Sequence, residues 1–177
     1  MRIVGLSGPK LSGKGTIARY LIDHKHAVAF SMSGVLSDIA KRMYMENTRA
    51  NLIAIATGLR SQFGQTILAE VLAKDIARSQ NELIVIDGIR LNSEVDIFSK
   101  LTGFELWYVD ASVEERFQRA KMRGEKVEET TMTFEEFVAQ ESAVTEKEIQ
   151  SLRLRAQHVL DNVTSMDDLY QEINTLL

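Results

Sequence analysis

The chain has no cysteine, which excludes a disulfide framework, a thiolate metal site and a cysteine nucleophile. It has one proline, Pro9, and no stretch that reads as an interdomain linker, a repeat or a low-complexity tract. No apolar run approaches membrane-spanning length. The N-terminus enters an apolar strand directly, without a charged leader, an apolar h-region or a cleavage site. These absences lead to the expectation of a soluble, cytoplasmic chain with no membrane partner. Excess charge is also lacking: 21 basic against 25 acidic residues give a net charge of −4, so there is no electrostatic case for nucleic-acid binding. At 177 residues the chain is long enough for one domain with one substantial core.

What is present begins at residue 2. The apolar run Ile3, Val4, Leu6 leads into Gly8-Pro9-Lys10-Leu11-Ser12-Gly13-Lys14-Gly15-Thr16, followed by a helical run through Ile17, Ala18, Tyr20 and Leu21. A strand running into Gly-x-x-x-x-Gly-Lys and then a helix is the context of a phosphate loop. In such a loop successive backbone N–H groups and the helix N-terminus face a polyphosphate, and the lysine adds positive charge. Gly15 stands where the strict pattern has Ser or Thr, and Thr16 follows it.

Downstream, short β-rich runs alternate with helical ones, which argues for βαβ units and a parallel sheet covered on both faces. Strands are expected at Ile3 to Ser7, Ala27 to Ser31, Leu83 to Ile86, Phe104 to Val109 and Gln157 to Leu160. Helical periodicity covers 15–24, 34–44, 48–61, 65–79, 93–101, 112–123, 133–143, 146–155 and 166–176. Capping-box spacing marks Ser112 with Glu115, Thr133 with Glu136, and Ser165 with Asp168. About 50 mostly helical residues separate the second and third strands, far more than a minimal crossover needs. An insertion there is suited to building a second ligand site at the carboxyl edge of the sheet.

Several residues have the chemistry to work beside a bound polyphosphate. Asp87 ends the run Leu83-Ile84-Val85-Ile86, where a carboxylate can hold magnesium through water or orient an attacking oxygen. Arg90, in the same turn, and Arg60, between two helical runs, are candidate ligands for an acceptor phosphate. Ser33 is a candidate acceptor contact or a helix cap. Arg116, Arg119 and Arg123 recur at i, i+3 and i+7, which places them along one helix face, and Gly124 offers a helix stop. Arg119 and Arg123 are the expected contacts to a transferring group. Of Arg153 and Arg155, at most one is expected to reach the site. Asp161 and Asn162 follow the last strand, where a loop can meet a base. His24, His26 and His158 form no ligand cluster in sequence and are given no role.

Together, Gly13-Lys14-Gly15-Thr16, Asp87-Gly88-Ile89-Arg90 and the helix from Glu115-Arg116-Phe117 to Arg123-Gly124 resemble the adenylate-kinase-related P-loop kinases. The nearest likeness is to nucleoside and deoxynucleoside monophosphate kinases, and dephospho-coenzyme A kinases share the plan. The resemblance implies a P-loop NTPase fold with three α/β/α layers and a five-stranded parallel sheet. It also implies a single domain with an acceptor-binding insertion at about 32–80 and a lid region at about 112–145. ATP and Mg2+ would be the cofactors, with small-molecule nucleotides as partners, neither nucleic acid nor membrane, and the oligomeric state left open. Residues Gly8 to Thr16 would cradle ATP, with Lys14 at its β- and γ-phosphates and Asn162 near the base. Ser33, Arg60 and Arg90 would hold the acceptor, while Lys14, Asp87, Arg119 and Arg123 would serve the transfer. The implied reaction moves the γ-phosphoryl of ATP to a nucleoside monophosphate. Adenylate kinases carry an arginine in the segment corresponding to Met32-Ser33-Gly34-Val35-Leu36-Ser37-Asp38, and this chain does not. Two alternatives therefore stay open: phosphorylation of a hydroxyl with Asp87 as base, and a nucleotide-binding regulatory module with little turnover.

Overall fold

The computed structural model describes all residues except 124–131, 142–143 and 163–164. Five strands form one parallel sheet in the order β2-β3-β1-β4-β5: β1 (Arg2–Ser7), β2 (Val28–Ser31), β3 (Leu83–Asp87), β4 (Phe104–Asp110) and β5 (His158–Asp161). The three central strands are nearly continuous apolar runs because helices cover both faces. One face buries Ile3, Ile84, Ile86, Phe98 and Leu106, and the other buries Val4, Leu6, Val85, Trp107 and Val109.

Helix α1 (Lys14–Lys25) follows the loop and packs Ile17 and Leu21 on the second face together with α9 (Met166–Leu176), which contributes Leu169 and Ile173. Between β2 and β3 lie α2 (Met32–Arg42), α3 (Arg49–Phe63) and α4 (Ile67–Arg78), with a small core of their own around Leu36, Ala56 and Leu68. The remaining described elements are α5 (Asn92–Phe98), α6 (Val113–Arg123), α7 (Phe134–Glu141), α8 (Val144–Ser151) and a 3-10 turn at Leu152–Arg155.

The expected elements are present, with shifted ends. Helix α2 starts at Met32, two residues before its expected start, because Ser31 is its cap and accepts from the Gly34 N–H at 3.0 Å. The helix expected over 146–155 is α8 followed by the tighter 3-10 turn. All three expected capping pairs form: the N–H groups of Glu115, Glu136 and Asp168 donate to Ser112, Thr133 and Ser165 at 3.2 Å each. Gly124 lies outside the described residues.

Parallel register aligns the carboxyl ends of the strands. Asp87 is the partner of Leu6 on one side and Ser31 on the other, so the β3–β1 pairing puts the acid beside the start of the phosphate loop. At the opposite edge of the sheet Arg2 bonds Glu105 at 2.8 Å, and the Trp107 indole N–H reaches the same carboxylate at 3.2 Å. Burial pushes the Glu105 carboxyl up, but the hydrogen bonds from Arg2 and Trp107 and the charge of Arg2 outweigh it and leave the group below its ordinary value of 4.5. A carboxyl lowered by folding adds stability above its unfolded pKa and loses it as pH falls through the folded one. Glu105→Gln should therefore cost about 1 kcal/mol at neutral pH. The difference from the parent chain should shrink toward zero as urea midpoints are measured at progressively lower pH.

Candidate active site

The loop from Gly8 to Thr16 is held by backbone geometry that few residues tolerate. Gly8 and Gly13 have φ of 135° and 107°, and Leu11 enters the left-handed region at 65°. A Cβ on Gly8 would strike the Val109 carbonyl oxygen of β4, and one on Gly13 would strike the Asn162 side-chain amide. Both glycines are thus required for close approach as well as for torsion. Strain at Leu11 fits a functional turn held by its surroundings.

Those surroundings come from the distant end of the chain. The Asn162 side-chain amide donates to the Ser12 carbonyl at 2.8 Å. Arg119 donates to the Leu11 and Ser12 carbonyls at 3.1 Å each and to the Asn162 carbonyl at 2.6 Å. Lys14 Nζ reaches back to the Gly8 and Pro9 carbonyls at 2.7 Å each. These loop carbonyls are thereby satisfied by cations and an amide, and the N-terminus of α1 opens on the cavity through Lys14, Gly15 and Thr16.

That opening is a cavity of about 800 Å³ lined by Gly13, Lys14, Gly15, Thr16, Asp87, Arg119 and Arg123, among others. Of the residues expected to cradle a nucleotide, Leu11 also lines it, whereas Gly8, Pro9 and Ser12 stand behind it as buried framework and Lys10 is exposed. Asn162, expected near a base, does not line the cavity; it is 6 % exposed and its amide is committed to the loop. Arg116 departs from the stripe read from its spacing. It is 3 % exposed, its Nε donates to the Ala111 carbonyl at 3.1 Å, and its guanidinium lies 5.9 Å from the Phe137 ring centre. Neither Arg153, paired with Asp110 at 3.3 Å, nor Arg155, paired with Asp96 at 2.6 Å, lines the cavity.

The second expected cluster sits past Asp87. Gly88, at φ 84°, turns the chain, and the turn is fastened to β1 by Ile89 N–H to the Leu6 carbonyl at 3.0 Å and Ser7 Oγ to the Ile89 carbonyl at 2.8 Å. Arg60 on α3 and Arg90 in this turn both act electrostatically on buried Glu94 of α5. Neither guanidinium is hydrogen-bonded or ion-paired to a described residue, and Arg60 Nε is buried without a partner. Ser33 is exposed and shares a 3.0 Å hydrogen bond with Ser31 Oγ.

The cavity also has a wall that the motifs do not announce. It runs along α1 past Arg19, Tyr20, Asp23 and His24 to Tyr170 on α9. Tyr20 stacks on Tyr170 with ring centres 4.1 Å apart and donates to Asn174 at 3.0 Å. Spacing by three and four from Thr16 would have indicated the α1 residues; Tyr170 carries no such signal.

A phosphate loop at the head of α1, with its acid on the neighbouring strand, is the arrangement of a nucleotide-binding kinase, and comparison with known proteins agrees. The model of the AAA domain family matches residues 7–138. The chain belongs to this family of P-loop kinase-fold domains. A UPF0200 protein of Hyperthermus butylicus is 29 % identical over 175 residues, covering 99 % of this chain and 91 % of that protein. One from Methanosarcina mazei is 31 % identical over 126 residues, or 70 % and 67 % of the two chains. Among solved structures, TT1252 from Thermus thermophilus aligns with a TM-score of 0.64 at 21 % identity over 99 % of this chain and 95 % of that one. Shikimate kinase from Bacteroides thetaiotaomicron aligns with a TM-score of 0.59 at 12 % identity over 99 % and 96 %. At these identities the likeness to solved structures is one of fold: a five-stranded parallel sheet with surrounding helices, as in P-loop kinases.

Because Asn162 braces the loop from behind, Asn162→Ala should leave Ser12 without that donor and cost about 1–2 kcal/mol in thermal or urea unfolding. Mg-ATP binding by calorimetry should weaken in parallel. A stability loss with unchanged affinity would show that the loop does not need this brace to bind.

Proposed function

We propose that the protein is an ATP-dependent phosphotransferase that moves the γ-phosphoryl of ATP to a nucleoside monophosphate. The observation that carries this reading is two separate groups of basic side chains. Lys14, Arg119 and Arg123 line the phosphate-loop cavity together with Asp87. Arg60 and Arg90, the latter in the turn that follows Asp87, act on buried Glu94 and present guanidiniums with no hydrogen-bonded partner among the described residues. A donor polyphosphate suits the first and an acceptor phosphate the second. In this reading α2 to α4, within about 32–80, form the acceptor-binding insertion, and the region from about 112 to 145, of which 124–131 and 142–143 lie outside the described residues, is the lid.

Magnesium fits the oxygen donors that the chain presents. The Thr16 hydroxyl and Asp87 carboxylate line one cavity and are hard ligands of the kind it prefers. Among the described residues there is no group of three or more metal-binding side chains, so phosphate oxygens and water would complete the coordination. Bound there, the ion would supply neutralisation of phosphate charge. The chain's own contribution is then positioning and electrostatics. Lys14 and the loop N–H groups hold the donor, Arg119 and Arg123 stabilise charge on the transferred group, and Arg60 and Arg90 fix the attacking oxygen in line.

One observation favours a second reading, transfer to a hydroxyl as in dephospho-coenzyme A. The Asp87 carboxylate has no hydrogen bond or ion pair with a described residue, and a free carboxylate can serve as a general base. An acceptor phosphate is already anionic and needs none.

Incubation with ATP, magnesium and a panel of nucleoside monophosphates plus dephospho-coenzyme A should yield a phosphorylated monophosphate. Lys14→Ala should abolish that product while leaving the circular dichroism unchanged. ATP binding without any product would replace the kinase reading with a regulatory module. For Asp87→Asn, a rate lowered about equally at every pH supports acceptor positioning or metal holding. Loss of an ionisation from the pH–rate profile would instead assign Asp87 as the base of a hydroxyl kinase.

A further inference from the structure

Glu94 is a buried carboxylate for which the phosphoryl-transfer reading has no use. It is 4 % exposed, and its Oε2 accepts from the N–H of Arg90 at 2.8 Å and of Leu91 at 3.1 Å. It therefore caps α5 from the third position, with Leu91 rather than a hydroxyl residue at the N-cap. Burial pushes its carboxyl upward, against the pull of those two bonds and of the Arg60 and Arg90 charges. Capping does not require the charge, because a glutamine oxygen accepts the same two bonds, whereas a carboxylate removed from water carries a large desolvation cost.

The charge has a different consequence. Two guanidiniums brought to one site repel each other, and at the effective dielectric of a protein a carboxylate nearby offsets much of that repulsion. The Arg60 and Arg90 side chains have no hydrogen bond or ion pair with a described residue, and Arg60 Nε is buried without a partner among them. We propose that Glu94 is a positioning residue for a tetrahedral oxyanion held by Arg60 and Arg90: it fixes the Arg90 main chain and offsets part of the pair's positive charge, thereby setting the site's affinity for a phosphate-like dianion. This rests on the acceptor-phosphate reading above. The pair stays assembled without a ligand and is preorganised for one, while the same negative charge weakens the final complex. Other nearby charges are committed elsewhere. Asp96 on α5 pairs with Arg155 at 2.6 Å, and Glu148 of α8 accepts the Asn92 N–H at 3.0 Å. The charges acting on Glu94 are those of Arg60 from α3 and Arg90 from the turn.

Sulfate is a suitable probe because it is a tetrahedral dianion that does not titrate near neutral pH. With the phosphate loop of the full chain saturated by Mg-ADP, sulfate binding is followed by calorimetry in the parent, Arg60→Ala and Glu94→Gln. Arg60→Ala should abolish the binding, and Glu94→Gln, which keeps both capping bonds, should tighten it about tenfold. In the parent chain sulfate should bind more tightly as pH falls through the Glu94 ionisation, which burial raises, since protonation removes the opposing charge. That dependence should flatten in Glu94→Gln, and should that variant not fold, the parent's pH series decides alone. Arg60-dependent binding that is unchanged or weakened in Glu94→Gln, or that does not tighten at lower pH, overturns the role of Glu94 and leaves the acceptor reading standing. Sulfate binding indifferent to Arg60→Ala overturns both.

Discussion

The site depends on how the phosphate loop is held from behind. A loop whose N–H groups face a ligand must direct its carbonyls elsewhere, and buried carbonyls need donors. Here the donors are Lys14 on the Gly8 and Pro9 oxygens, Arg119 on those of Leu11 and Ser12, and Asn162 on that of Ser12. Gly8 against the Val109 carbonyl and Gly13 against the Asn162 amide let β4 and the end of β5 approach closely enough for this. Conformation of the loop is thus tied to the far edge of the sheet, and the parallel order β3-β1-β4-β5 provides the connection.

Arg119 is central to this arrangement because it serves both sides of the loop. Its guanidinium bonds the loop carbonyls and the Asn162 carbonyl, and it also lines the cavity. A cation at that point completes the framework and adds positive potential where phosphate charge would lie. Arg116, one turn earlier, is a packing residue over Phe137. Two arginines three apart on one helix therefore have opposite duties, decided by which neighbours α6 meets.

Much of this was legible in the chain itself. Apolar runs with turn signals located the strands, since buried parallel strands are nearly all apolar. Hydroxyl and acid residues three apart located helix starts, because the reciprocal bonds are local. The capping role of Glu94 was not legible, as Leu91 offers no side-chain oxygen to complete a recognisable pair. Nor was the role of Asn162: an asparagine after a strand reads as a turn residue, and only its packing against Gly13 makes it a brace. The wall formed by Tyr20 and Tyr170 joins residues 150 positions apart, beyond the reach of any local pattern.

The sequence by itself determined the strand–loop–helix that opens the chain and the parallel α/β class, because each follows from residue type and spacing within a few positions. Tertiary structure alone decided which arginines face the cavity, which are buried supports and which polar groups carry the loop's carbonyls. Those outcomes depend on strand order and helix packing, which bring Gly8 against Val109, and Gly13 and Arg119 against Asn162.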